Sequence, residues 1–378
     1  MKKAFLLMAS VVAGMILFSC GGGKTEVSPE QLKLDSAEFT VEGLQKMVTS
    51  PEIVTPVEYR ALVLAYSKVG INKATLDLDA NPVDEAIRGI FKVKERPQTE
   101  KAILRGLLKS PYPQVRAYAI TKLPSSENDT VMDVLEQEKD PFVIKEGLSA
   151  LRFQTRRDRV AAFFVACSKD SHKKIREQCA FGLGRKDSKD KPGVKEAVLE
   201  LLKDTDVDVK RVMCRNCGNL YDESLVPELV KILDDSAQAD VHADCVESLY
   251  TLWYDFPFHK STSKVAYDAT IAYFKKTPRT EDIPAWQSIS KLRSQNDIHI
   301  DSWKARATYF DPKEYVAVMK KLAVDHMMSW LGRNAAVNVI AKWGTKADLQ
   351  EIENTISANA DDSKARLVIQ EIDKELKK

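Results

Sequence analysis

Glycine is scarce, 15 in 378 residues, and no stretch alternates apolar and polar residues with period two. A sandwich or barrel needs that alternation and frequent turn residues, so the expectation is against β architecture. Histidine numbers only five, His172, His242, His259, His299 and His326, with no HxxxH or HxH spacing. No helix or strand is thus expected to present two imidazoles to a metal. His299 and Asp301 would offer two ligands from an extended segment, but such triplets arise by chance and carry no metal expectation. There is no GxxxxGK[ST], no GxSxG and no glycine-rich phosphate loop, which leaves no recognisable nucleotide or acyl-transfer site. The carboxylate pairs Asp234-Asp235 and Asp361-Asp362 lie in turn-like stretches and read as helix caps or solvated loop residues. Catalytic residues, metal ligands and cofactors are therefore expected to be none, and the chain is not read as an enzyme.

An excess of one charge is missing too. Hydrophobic residues at 44% and charged residues at 30% describe a globular chain with ample core material. The first residues are Met1, Lys2 and Lys3, then the apolar run Ala4 to Phe18, then Ser19, Cys20 and three glycines. Charge, a short apolar run and a small residue before the break make an export signal, too short and wrongly flanked for a stable span. The segment resembles the bacterial lipoprotein signal, whose lipobox is a leucine, two small residues and a cysteine. Leu17, Ser19 and Cys20 match, and Phe18 is bulkier than usual. The resemblance implies cleavage before Cys20 and acylation of that cysteine, with palmitate-type chains contributing about 0.8 kcal/mol per buried methylene. Loss of residues 1–19 takes Lys2 and Lys3 and no acidic residue, leaving 55 basic against 55 acidic side chains. A formally neutral chain gives no support for nucleic-acid binding.

After the signal, residues 20–50 open with Gly21, Gly22 and Gly23 and read as a flexible tether. Beyond them the periodicity is helical, and a repeat stands out. A β-branched apolar residue is followed four positions later by a small one and eight positions later by a large apolar one. Val115, Ala119 and Leu123 fill the slots first; then Val143, Gly147, Leu151; Ile175, Cys179, Leu183; Val209, Met213, Cys217; and Val241, Cys245, Leu249. Positions i, i+4 and i+8 share a helical face, so each triplet is expected to be a buried stripe. The small middle residue is expected to let neighbouring helices approach. Second helices are plainest at Val194 to Leu202 and Leu225 to Leu233, with Pro227 in a first turn where a missing N–H costs little.

Leu201 to Lys210 (LLKDTDVDVK) followed by Asn219 to Leu233 (NLYDESLVPELVKIL) resembles the HEAT repeat of the lyase-related bacterial type. Asp140, Pro141 and Val143 fit its Asp-Pro-x-Val start, and Val115-Arg116, Ile175-Arg176 and Val209-Lys210 fit its Val-Arg pair. Ala336, Ile340, Trp343 and Gly344 echo the first helix near the C-terminus, with Gly332 departing at the apolar slot. The fold class implied is all-α, an α-solenoid (α/α superhelix) of HEAT-like helix pairs over 51–378. The match is regular at 101–252 and irregular at 253–325. Such an array implies no single activity.

Where the repeat fails, Tyr250 to Phe258 (YTLWYDFPF) is dense in aromatics. Trp253, Tyr254, Phe256 and Phe258, with Trp303 from a second break at residues 298–311, form either a ledge for a partner or a plug between irregular repeats. Five cysteines follow Cys20, and an odd number cannot be wholly paired within the chain. Cys214 and Cys217 make a CxxC, but Cys217 occupies an apolar repeat slot, so core packing outranks a redox or metal role. Arg116, Arg176, Lys210 and His242 each follow a first repeat slot. They line an acidic-ligand groove or, the stronger reading, bond a neighbouring turn's Asp or a helix-end carbonyl.

The leading functional reading is a non-catalytic protein-binding scaffold or adaptor of the cell envelope. It is held to the membrane through the lipid on Cys20, in the outer membrane if the cell has one, with a protein partner and no nucleic acid. The alternative is a binding module for an envelope polysaccharide or peptide. An enzyme of unknown reaction is third, because some HEAT-like proteins resembling this type act on small cofactors.

Overall fold

A computed structural model of the chain describes residues 101, 104–105, 108–109, 113–255, 260–276 and 300–378. The expected signal, Cys20, the tether and the start of the array lie outside these residues. Among the described residues every regular element is helical, and no helix is long and apolar enough to cross a membrane. The fold is an all-α solenoid of helix pairs, divided into two compact units, Met1–Leu151 and Arg152–Lys378.

The described part of the first unit holds α1 (Pro113–Lys122), α2 (Asn128–Leu135) and α3 (Pro141–Leu151). Asp140 starts α3: its Oδ1 accepts from the amides of Phe142 at 3.0 Å and Val143 at 3.3 Å, with Pro141 at the first helical position, where no N–H is needed. Val143, Gly147 and Leu151 are buried, and so is Ala119 on α1, while Leu123 is only half-buried. The side chain of Val115 lies outside the described set. The space above Gly147 is occupied by the Leu135 side chain of α2. The small slot here admits a knob from the facing helix, not the close backbone approach that the repeat spacing suggested.

The second unit continues through α4 (Asp158–Cys167), α5 (Lys173–Leu183), α6 (Val194–Leu201), α7 (Val207–Asn216), α8 (Val226–Asp234), α9 (Ala239–Trp253) and α10 (Lys264–Lys275). Beyond residues 277–299 it resumes with α11 (Ile300–Arg306), α12 (Pro312–Val324), α13 (Trp330–Trp343), α14 (Lys346–Ser357) and α15 (Ala365–Leu376). Odd-numbered helices pack on one another, α5 on α7, α7 on α9 and α13 on α15, while α4 packs on α6, α8 on α10, α10 on α12 and α12 on α14. The result is two layers with the apolar stripes between them. Lys346 at the start of α14 bonds the carbonyl of Leu376 at the end of α15, which fixes that pair as antiparallel. Ile175, Cys179 and Leu183, then Val209, Met213 and Cys217, then Val241, Cys245 and Leu249, are all 1% exposed or less. At about 1.5–3 kcal/mol for each large side chain, these stripes are a main source of cohesion.

Caps set the helix starts. Asp206 accepts from the amides of Asp208 and Val209 at α7, Asp311 from Lys313 at α12, Ser329 from Gly332 at α13, and Thr345 with Asp348 forms a capping box at α14. Each satisfies a backbone donor that the helix itself leaves open. Two glycines outside the repeat slots also matter. The ring of Phe164 on α4 lies over Gly182 of α5, and a methyl on Gly218 would lie 2.6 Å from the carbonyl oxygen of Ser248 and 2.7 Å from its Cα. Main-chain contact between neighbouring repeats therefore occurs at Gly218, just after the fourth stripe.

Candidate functional site

The basic residues at the repeat starts are committed to structure. Arg116 bonds Glu138 through Nε at 2.7 Å and Nη2 at 2.9 Å. Arg176 bonds both carboxylate oxygens of Asp204, at 2.6 and 3.0 Å, and the carbonyls of Asp170 and Ser171. Lys210 reaches Gln238 Oε1 at 2.7 Å. Nε2 of the buried His242 lies 3.0 Å from the Ile232 carbonyl and 3.1 Å from that of Asp235. A fifth member follows the departing slot at Gly332: Arg333, wholly buried, bonds Asp362 at 2.9 and 2.6 Å and the Ala323 carbonyl at 2.8 Å. These side chains tie turn to turn, each already bonded within the protein. Arg156, Arg157 and Arg159 are exposed.

Cys214 and Cys217 are both fully buried, and Cys167, Cys179, Cys214, Cys217 and Cys245 are all unpaired thiols. Burial, with Cys214 beside it, pushes the Cys217 thiol up to about 12, so almost none of it is the reactive thiolate at neutral pH. Ser248 from the next repeat serves this spot, donating to the Cys214 carbonyl and accepting from the Gly218 amide at 2.8 Å. Among the described residues no group of three or more His, Cys, Asp or Glu is arranged to hold a metal ion.

Of the aromatics singled out, Trp253, Tyr254 and Trp303 are buried at 0%, 1% and 0% exposure, and Phe256 and Phe258 lie outside the described residues. Trp253 is a hub: Tyr250, Tyr254, Tyr267, Trp303, Phe310 and Tyr315 all hold their ring centroids within 6.1 Å of its own. Its Nε1 donates to Thr270 Oγ1 at 3.2 Å, and Trp303 Nε1 donates to the carbonyls of Trp253 and Ser261 at 2.9 and 3.1 Å. The three described rings act as a plug that joins α9, α10, α11 and α12 where the repeat is irregular; they offer no face to a ligand.

What the plug does create is a polar cleft on its flank, of about 280 Å³, lined by Lys186, Lys189, Tyr221, Glu223, Leu252 and the segment Lys260–Ser263. Lys189 Nζ bonds the Tyr221 carbonyl at 3.3 Å, and Lys186 Nζ sits 5.3 Å from the centre of the Tyr221 ring. Neither Lys186 nor Lys260 is ion-paired with a described residue; the lining itself holds three ammonium groups and one carboxylate, Glu223, while the charge of Lys189 also helps to hold the neighbouring Asp222 carboxyl below its ordinary value. Burial, with the Asp255 carboxylate beside it, pushes the Tyr221 hydroxyl up to about 12. Tyr221 and Asp255, at φ 52° and 39°, are the two non-glycine residues with positive φ among those described. That left-handed conformation costs a side-chain-bearing residue about 1–2 kcal/mol, and strain of this kind concentrates at functional sites. Ser261 is 8% exposed; its carbonyl serves Trp303, but its hydroxyl has no hydrogen-bond partner. Sequence reading missed this cleft because Lys186 and Lys189 share one turn while Tyr221, Glu223 and Lys260 come from two others, and together they make no motif.

Residues 160–250 match the family model described as HEAT repeats. No curated protein matches the chain. Among solved structures, 36 chains match. One belongs to the structure in which Kap95p binding induces the switch loops of RanGDP to adopt the GTP-bound conformation, at 13% identity and a TM-score of 0.49, covering 98% of this chain and 55% of that one. The chain thus spans about half the length of the chain it matches, and a likeness at this level speaks to neither activity nor partner.

Proposed function

We propose that this protein is a non-catalytic protein-binding scaffold, tethered to the cell envelope by lipid on Cys20. The observation that carries the scaffold reading is the commitment of the repeat-start cations to turn-to-turn ties, from Arg176 with Asp204 to Arg333 with Asp362. Such ties hold helix pairs at fixed spacing, and HEAT-type arrays with fixed spacing present extended surfaces to other proteins. The anchoring reading rests on residues 1–20, where two lysines, the apolar run and the Leu17 to Cys20 tetrapeptide agree. The tether would then space the helical body from the bilayer.

Two measurements test the two halves. Metabolic acyl labelling should mark the wild type and not Cys20→Ala, which should accumulate as precursor or enter the soluble envelope fraction; an unlabelled wild type removes the anchor. Affinity purification of the wild type from detergent extract after crosslinking should retain one protein in fixed stoichiometry. Retention of none, or of glycan instead, removes the scaffold.

A further inference from the structure

We propose that the cleft bounded by Lys186, Lys189 and Lys260 captures a carboxylate-rich segment of a partner protein. The inference rests on the scaffold reading, and it specifies where and by what chemistry the partner is held. Three observations support it. The cleft gathers positive charge in one place, its lining carrying three lysines against Glu223. Two of those lysines have no carboxylate partner among the described residues, unlike Arg116, Arg176 and Arg333, which are tied. Ser261 lines the cleft, and its buried hydroxyl has no hydrogen-bond partner; a carboxylate seated in the cleft would offer the acceptor it lacks. An unmet buried hydroxyl is unfavourable unless a ligand or water completes it.

The lining selects among anions. Glu223 on the lining opposes a doubly charged group more than a singly charged one. A cavity of about 280 Å³ is at the small end for ligand pockets, and suits one or two acidic side chains of an extended segment. Tyr221 supplies the fixed wall. Its ring faces Lys186, its carbonyl holds Lys189 and its strained backbone keeps both in register.

The test uses the full chain in detergent and fluorescein-labelled hexaglutamate as the probe, read by anisotropy. Binding is expected near 0.05 M salt and should weaken strongly by about 0.5 M, as screening requires. The double variant Lys186→Gln with Lys189→Gln should weaken it about tenfold or more, in line with loss of charge-assisted bonds. Ser261→Ala, which removes one oxygen and leaves the fold, should weaken it several-fold, and Lys203→Gln on an exposed turn should change nothing. The assignment is overturned if the wild type does not bind, if Lys203→Gln weakens binding as much as the double variant, or if inorganic phosphate displaces the probe as well as free hexaglutamate does. Failure here is separable from failure of the scaffold. A stoichiometric partner retained equally by wild type and double variant removes the cleft and keeps the scaffold; probe binding with no partner recovered does the reverse. Unchanged circular dichroism of each variant guards against misfolding as the cause.

Discussion

Replacing Asp362 with asparagine probes the most deeply buried of the turn-to-turn ties. Arg333 and Asp362 have side-chain exposures of 0% and 1%, and the guanidinium spends Nη1 and Nη2 on the carboxylate and Nε on the Ala323 carbonyl. Asparagine keeps an oxygen for the Lys364 amide, which Asp362 caps at 3.0 Å, but sets an NH2 donor where Oδ2 accepted from Arg333, so the change removes the charge together with one acceptor. A buried cation left without its counterion costs about 3–5 kcal/mol, a fall in melting temperature of roughly 6–20 °C for a unit of this size. Removing both charges, Arg333→Met with Asp362→Asn, should recover most of that loss, since the pair's attraction largely offsets its desolvation. Urea unfolding followed by circular dichroism measures all four corners of the cycle, and hydrogen exchange should show α13 to α15 opening first. Burial alone would raise the Asp362 carboxyl; the Arg333 bonds and charge and the Lys364 amide hold it below the ordinary value. A depressed carboxyl gives its stabilisation in full above the unfolded value near about 4 and loses it as pH falls through the folded value. The deficit of the asparagine variant should therefore shrink in acid. The reasoning fails if Asp362→Asn stays within about 1 kcal/mol of wild type, or if the double variant is less stable than the single.

Gly218→Ala, which drives a methyl into the Ser248 main chain, should cost at least about 1–3 kcal/mol. At Gly147 only the Leu135 side chain must move, so Gly147→Ala should cost less; the reverse order in urea unfolding would refute the contact assignment. Cys217 should react slowly with iodoacetamide in the native protein, given its burial and raised thiol; Cys217→Ala should lower stability by about 1–2 kcal/mol. Rapid native labelling there would reinstate a reactive CxxC. Trp253→Ala should cost at least about 3–5 kcal/mol, the range for emptying a large aromatic site, and lower near-ultraviolet dichroism from the whole plug. A stable variant with an altered ligand profile would return the ring to a binding role.

Helical class, repeat spacing and buried stripes were legible in the sequence because period 3.6 and side-chain volume are local properties: Ile175, Cys179 and Leu183 share a face whatever packs against them. The readings of Arg176 as a turn tie and Cys217 as a core residue were legible for the same reason, since each occupies a fixed place in the repeat. Tertiary structure alone decided the rest. That a leucine fills the space at Gly147, that main chains touch at Gly218 and that Trp253 turns inward to gather rings from residues up to 62 positions away, as at Tyr315, depend on which helices meet. The cleft depends on it most. Lys186, Tyr221 and Ser261 stand far apart along the chain, and only the stacking of successive repeats brings their charge, strained backbone and unmet hydroxyl to one place.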